Sequence, residues 1–255
     1  MKFTPSSRLL SAAVAAAGVV ALAGVARADR RAFTETYEYT TMPEGQTAVE
    51  LHTRQSRATF DGDASPQAFV FQLEIEHGIT ERWDVALYHV FAQASDGMGG
   101  GTGVALTEMK LETRYRFAER GERPVDFVIY GELAKQFGVG AYDVEGKAIL
   151  ARDFGRATVA ANLIAEVGFG PDVAETELEL GWAAGLTYEV SPRWKVGAET
   201  WGGFEAEHTD EVAASVGPAL SWAPASRVWI SATAGFGVTD EADAFSLAAI
   251  VGLEL

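Results

Sequence analysis

Four histidines, His52, His77, His89 and His208, are where chemistry would first be sought in this chain. None stands beside a serine in a nucleophile motif, and there is no Gly-x-Ser-x-Gly. Nucleophilic catalysis needs a nucleophile, a base and an orienting group on neighbouring elements. Serine and histidine here are sparse and fall mostly in turns or loops, which argues against an enzyme. His52 shares its parity with Glu50 and Arg54 and reads as a hydrated side chain. The run from Gly97 to Gly103 has the glycines of a phosphate cradle. It lacks the following Lys-Ser/Thr and a helix to supply a dipole, so it reads as a flexible loop. Glu205, Glu207, His208, Asp210 and Glu211 offer oxygen ligands for Ca²⁺ or Mg²⁺. Without the spacing of a dedicated calcium loop they read as a solvated turn. No cofactor, catalytic set or metal site is expected.

The other charged residues form a pattern of a different kind. Glu74, Glu108, Lys110, Glu112, Arg114, Arg116, Asp126, Glu132, Glu145, Lys147, Glu166, Glu177, Glu179 and Glu199 alternate with apolar neighbours. The stretch from Glu175 to Val190 is the clearest case. Glu175, Glu177, Glu179, Gly181, Ala183, Gly185, Thr187 and Glu189 fall on one parity; Leu178, Leu180, Trp182, Leu186, Tyr188 and Val190 fall on the other. Period-two alternation sends the acids to one face of a strand and the apolar groups to the opposite face. Ordinary soluble strands are about five or six residues long, and this one is far longer. A long strand that is charged on one side and apolar on the other suits a wall between water and lipid. The carboxylates and bases then line a lumen, where they need water or partners.

The ends and the overall charge narrow the class. Residues 1–28 carry a basic start (Lys2, Arg8), an apolar Ala- and Val-rich run and the small-x-small exit Ala26-Arg27-Ala28, the pattern of a cleaved secretory signal peptide. The chain bears 20 basic and 36 acidic residues, and without residues 1–28 the balance is 17 against 36, or −19. Nucleic-acid binding, which relies on Lys and Arg, is excluded as a general activity. There is no cysteine, so stability must come from packing and backbone pairing. No stretch after the signal is long and apolar enough for a membrane helix, and a spanning protein without one must be a closed barrel.

Alternation and turn signals predict strands at 47–54, 68–76, 83–94, 104–117, 125–137, 142–152, 156–169, 174–190, 194–204, 211–222, 227–238 and 243–255. This is an all-β, closed, antiparallel, up-and-down transmembrane barrel of about 12 strands, the even number single-chain bacterial barrels require. Residues 29–46 form a separate periplasmic lead-in, with Phe33, Tyr37 and Tyr39 needing burial across the mouth or inside the lumen. The barrel occupies 47–255. Trp83, Trp194, Trp222 and Trp229 stand beside the short turns and are expected as interface aromatics. Hairpin geometry pairs Arg116 with Asp126, Lys110 with Glu132 and Glu132 with Lys147, making one wall basic and leaving the wall with Glu166, Glu177, Glu179 and Glu199 acidic.

Three motifs carry a resemblance to a known group. They are Met42-Pro43-Glu44-Gly45, the turn Glu76-His77-Gly78-Ile79-Thr80-Glu81-Arg82-Trp83, and Ser191-Pro192-Arg193-Trp194. Through them the chain resembles bacterial outer-membrane β-barrels, and more loosely the barrels of phenol-degradation pathways and putative transporters. Such chains usually end in an aromatic residue; this one ends in Leu255, with Val251 and Leu253 keeping the alternation. The resemblance implies export to the outer membrane of a Gram-negative bacterium and small-molecule passage, with no catalytic residues. The expected partners are outer-membrane lipid and lipopolysaccharide, the barrel-assembly machinery and a small solute. The leading functional reading is a cation-preferring channel or diffusion transporter. The second is a structural or adhesive barrel with a plugged lumen and functional acidic loops.

Overall fold

The computed structural model describes residues 31–60, 65–95, 100–173 and 176–255. The signal peptide expected at 1–28 lies outside them, as do Asp61, Asp63, Asp96, Glu175 and residues 97–99 of the glycine run. Twelve strands occur among the described residues: β1 (Thr47–Arg57), β2 (Gln67–Thr80), β3 (Trp83–Ser95), β4 (Ala105–Arg116), β5 (Asp126–Gln136), β6 (Tyr142–Phe154), β7 (Ala157–Phe169), β8 (Leu178–Ser191), β9 (Trp194–Glu205), β10 (Ala213–Ala225), β11 (Val228–Gly237) and β12 (Phe245–Glu254). Each pairs antiparallel with its chain neighbour, and β1 closes on β12. Closure leaves no unpaired edge, which is how an all-β wall can satisfy its backbone away from water.

The alternation decides which way each strand faces. Leu111, Leu133, Leu163, Leu186, Leu247 and Val251 stand on the outer surface, large, apolar and exposed. Glu50, Glu74, Glu112, Asp126, Asn162 and Glu199 lie on the opposite parity, buried inside the barrel. The cations Lys135 and Arg152 share the outward parity and sit near strand ends. Lys135 lies 4.1 Å over the Tyr142 ring, and Arg152 donates to the Arg123 carbonyl at 2.5 Å. At an end such a charge costs about 0–1 kcal/mol rather than the 2–4 of mid-membrane.

The barrel has two unlike ends. Both its termini and the short turns, such as Glu81–Arg82 and Pro192–Arg193, gather at one end, which we call the turn end. Most of the longer connections gather at the other, the loop end, while the nine residues 117–125 between β4 and β5 lie at the turn end. Trp83, Trp194 and Trp222 face outward at the turn end, and Trp194 stacks on Trp222 with ring centroids 5.3 Å apart. Trp229 does not join them. It is only 1 % exposed and points inward, lying across Gly252 where a Cβ would meet its indole ring. Its neighbours Val228 and Ile230 are the outward pair, so strand parity sends Trp229 into the lumen.

Residues 31–46 do not add a strand to the barrel. They enter at the turn end, where Glu44 bridges to Gly78 and Gly45 donates to the Gly78 carbonyl at 2.9 Å. From there the segment runs into the lumen, burying Ala32, Phe33, Thr36, Tyr39, Thr41 and Met42. Small inward residues of the wall make the room. A Cβ on Gly185 would run into the Phe33 ring, so only glycine fits beneath it. Ala32, Phe33 and Tyr39 pack with Val128, Tyr130, Ile149, Ala160 and Ala219 of the wall into one apolar cluster. The turn-end half of the lumen is therefore a packed core rather than a water channel.

Candidate functional site: the lumen and its inserted segment

The inserted segment is held mainly by polar groups aimed at its backbone. Glu199 on β9 accepts from three consecutive amides, Thr34 at 3.1 Å, Glu35 at 3.0 Å and Thr36 at 3.1 Å. The hydroxyls of Thr34, Thr36 and Thr233 donate to the same carboxylate. On β7, Asn162 accepts from the Tyr37 amide at 2.7 Å and donates to its carbonyl at 3.0 Å. Ser221 and Ser231 both donate to the Arg31 carbonyl. Glu38 folds back to accept from the Ala32 amide at 2.5 Å, closing the segment on itself. At the mouth, Asp84 accepts from the Met42 amide at 2.8 Å, and the Tyr39 hydroxyl donates to the Ala118 carbonyl. A buried backbone group without a partner is costly, and here the wall supplies the partners.

Charge is concentrated beside this segment. Arg114 contacts Glu76, Asp84 at 2.8 Å and Glu112 at 3.1 Å, all four buried. Glu112 also accepts from the Tyr88 hydroxyl at 2.6 Å and the Tyr37 hydroxyl at 3.3 Å. His52 Nε2 lies 2.8 Å from Glu74 and 3.1 Å from Glu50, and Arg31 approaches Glu50 at 3.9 Å. Arg54 pairs with Glu35 of the segment, and Lys195 lies 3.8 Å from Glu38. Beyond the strands, an Arg82 hydrogen bond holds the Glu119 carboxyl below the usual carboxylate range. Hydrogen bonding to Glu205 pushes the His208 imidazole up.

The lumen charges expected from the sequence all have inward parity except Glu177, which precedes β8 and stands exposed at the loop end. Their pairing differs from the expectation. Lys110 does reach Glu132, at 3.1 Å, but diagonally: the direct partner of Glu132 on β4 is Glu112. Lys147 pairs with Glu145 at 2.7 Å and lies 4.2 Å over the Tyr130 ring, not against Glu132. Arg116 donates to the Glu81 carbonyl and pairs with Glu119, while Asp126 accepts from the Gly121 amide. The expected basic wall is thus dissolved among carboxylates, because a two-residue change of register keeps every face and changes every partner.

The true register produces a feature the sequence hides. Glu112, Glu132, Glu145, Glu166, Glu179 and Glu205 are direct cross-strand partners in succession from β4 to β9. In the other direction the same row runs Glu112, Ala86, Glu76, Ala48, Glu254. Strands in a barrel are tilted and staggered, so a row followed across them climbs along the axis. This one starts at Glu254, the last residue of β12 at the turn end, and finishes at Glu205, the last residue of β9 at the loop end. It is a spiral of carboxylates from mouth to mouth. Lys110 and Lys147 flank its middle.

Among the described residues, two cavities lie beside the inserted segment within the barrel. One of about 200 Å³ is lined by Arg31, Tyr37, His52, Tyr88, Lys110 and Glu132 among others. The second, about 520 Å³, lies towards the loop end and includes Trp182, Trp201, Ser215, Glu241 and Asp243. Glu35, Arg54 and Lys147 line both, so the two lie side by side. Glu76, Asp84 and Asn162 are lumen residues that sequence reasoning misses, whereas Glu50 is found through the face it shares with His52. Glu76 carries a usable signal, since it shares its face with Glu74. Asn162 carries none, because its partner lies 125 residues away.

The fold is that of known porins. The KdgM porin superposes with a TM-score of 0.53 at 8 % identity, covering 81 % of this chain and 97 % of that one. The same porin in complex with disordered oligogalacturonate gives 0.52, again at 8 % identity, covering 81 % of this chain and 97 % of that one. The NanC porin gives 0.49 at 10 % identity, covering 81 % of this chain and 97 % of that one. No family model and no curated protein matches the chain. The finer likeness to phenol-degradation barrels rests on the three sequence motifs alone.

Proposed function

We propose that this chain is an outer-membrane diffusion channel for small solutes, that it prefers cations, and that its own N-terminal segment narrows it from the turn end. The carrying observation is the spiral of glutamates from Glu254 to Glu205, interrupted at Ala48 and Ala86, which gives a small cation a succession of carboxylate oxygens along the lumen. A low-dielectric wall focuses the field of such a row into the water it encloses. The apolar outer surface and its Trp194–Trp222 pair support an embedding in lipid, with the turn end towards the periplasm. Lipid, lipopolysaccharide and the barrel-assembly machinery are the partners this placement implies.

The inserted segment favours a second reading, a barrel closed for good whose work lies in its loops. Planar-bilayer recording separates the two. As a channel, the intact chain gives discrete conductance steps, and a chain lacking residues 31–40 gives larger ones. A shortened chain that folds, shown by heat-modifiable gel mobility, and yet carries no current would leave the second reading standing.

A further inference from the structure

We propose that Glu50, His52 and Glu74 form a binding site for a single late first-row divalent metal ion, of which Zn²⁺ is the probe. Two elementary facts of sheet geometry build it. Glu50 and His52 are two residues apart on β1 and so share the inward face. Glu74 on β2 is the direct cross-strand partner of Glu50. Their ligand atoms all lie within 4.8 Å of one another, and a single nitrogen, His52 Nε2, faces a carboxylate oxygen on each side, at 2.8 and 3.1 Å. With metal–ligand bonds near 2.1 Å, a tetrahedral centre holds its ligand atoms about 3.4 Å apart, so the imidazole needs to part only slightly from each carboxylate. The Tyr88 ring packs edge-on against the imidazole at 6.0 Å and fixes its orientation.

A further observation points to a ligand. His52 lines the 200 Å³ cavity, which leaves an open side for water or a solute oxygen as fourth ligand. Contacts within 4.0 Å join Glu50 and Glu74 to His52 and Arg31, separately from the cluster of Arg114 with Glu76, Asp84 and Glu112. A metal bound at His52 Nε2 takes the place of any proton there, and that proton passes to solvent. One imidazole with two carboxylates suits Zn²⁺ and its transition-metal neighbours, while Mg²⁺ and Ca²⁺ prefer all-oxygen shells. Arg31 stands against Glu50 from the inserted segment, so metal and Arg31 compete for one carboxylate.

Isothermal titration of the folded full chain in detergent with Zn²⁺ tests the site, with Mg²⁺ as control. The expected result is one Zn²⁺ per chain, no Mg²⁺ heat at equal concentration, and a Kd raised about tenfold or more, at least 1.4 kcal/mol, by His52→Ala and by Glu74→Gln. Arg31→Ala should tighten binding, and His208→Ala, on the exposed loop, should leave it unchanged. Glu74→Gln keeps the shape of the side chain and covers the case in which His52→Ala does not fold. No Zn²⁺ binding by the folded chain, or binding that Glu74→Gln leaves intact, would overturn the proposal.

Discussion

Glu199 shows how much one buried carboxylate can organise. It gathers three amides and three hydroxyls from positions up to 165 residues away in the chain. Glu199→Gln keeps the size but replaces one acceptor oxygen by a donor. We expect it to weaken seating of the segment by about 1–3 kcal/mol, the cost of leaving buried donors unmet. Phe33→Ala removes the ring lying on Gly185 and should weaken seating by about 3 kcal/mol, the lower end for such truncations. Amide exchange reads both: protection of residues 31–42 should fall, while that of the strands stays. Equal loss in strands and segment would mean that the segment is part of the barrel's own stability.

Individual strands are largely legible in the sequence. Parity alone locates the outward and inward faces, because period-two alternation survives any shift of register by two. Parity also excludes Trp229 from the lipid face, since Val228 and Ile230 already hold that side; proximity to a turn is the weaker guide. Register is not legible. Glu132 could face Glu112 or Lys110 with no change in its own strand, and only closure of all twelve strands settles which. The inserted segment is hidden for a related reason. Its alternation is weak, and its partners Asn162, Glu199 and Ser231 lie on distant strands. Strand faces predict a cost that can be measured. Leu163 is 62 % exposed on the outer face midway along β7, and Leu163→Arg should cost about 2–4 kcal/mol in urea-refolding titrations with lipid vesicles. No change would mean that this surface does not meet lipid.

Taken as a barrel, the described chain is a wall made by twelve strands, a core made by its own lead-in at the turn end, and a cavity towards the loop end. Because each strand already has two partners, removing residues 31–40 should leave folding and heat-modifiable mobility intact and open the lumen. Loss of the folded form would show that closure depends on the inserted core. The glutamate row spans both halves, and the cation preference we propose rests on it. The most direct measurement is the reversal potential of single channels, formed by the chain without residues 31–40, in a tenfold KCl gradient. Cation preference predicts a potential of the sign set by potassium, which moves towards zero when Glu145, Glu166 and Glu179 are all changed to Gln. A reversal potential of the chloride sign, or one that the triple substitution leaves unchanged at full conductance, would contradict it.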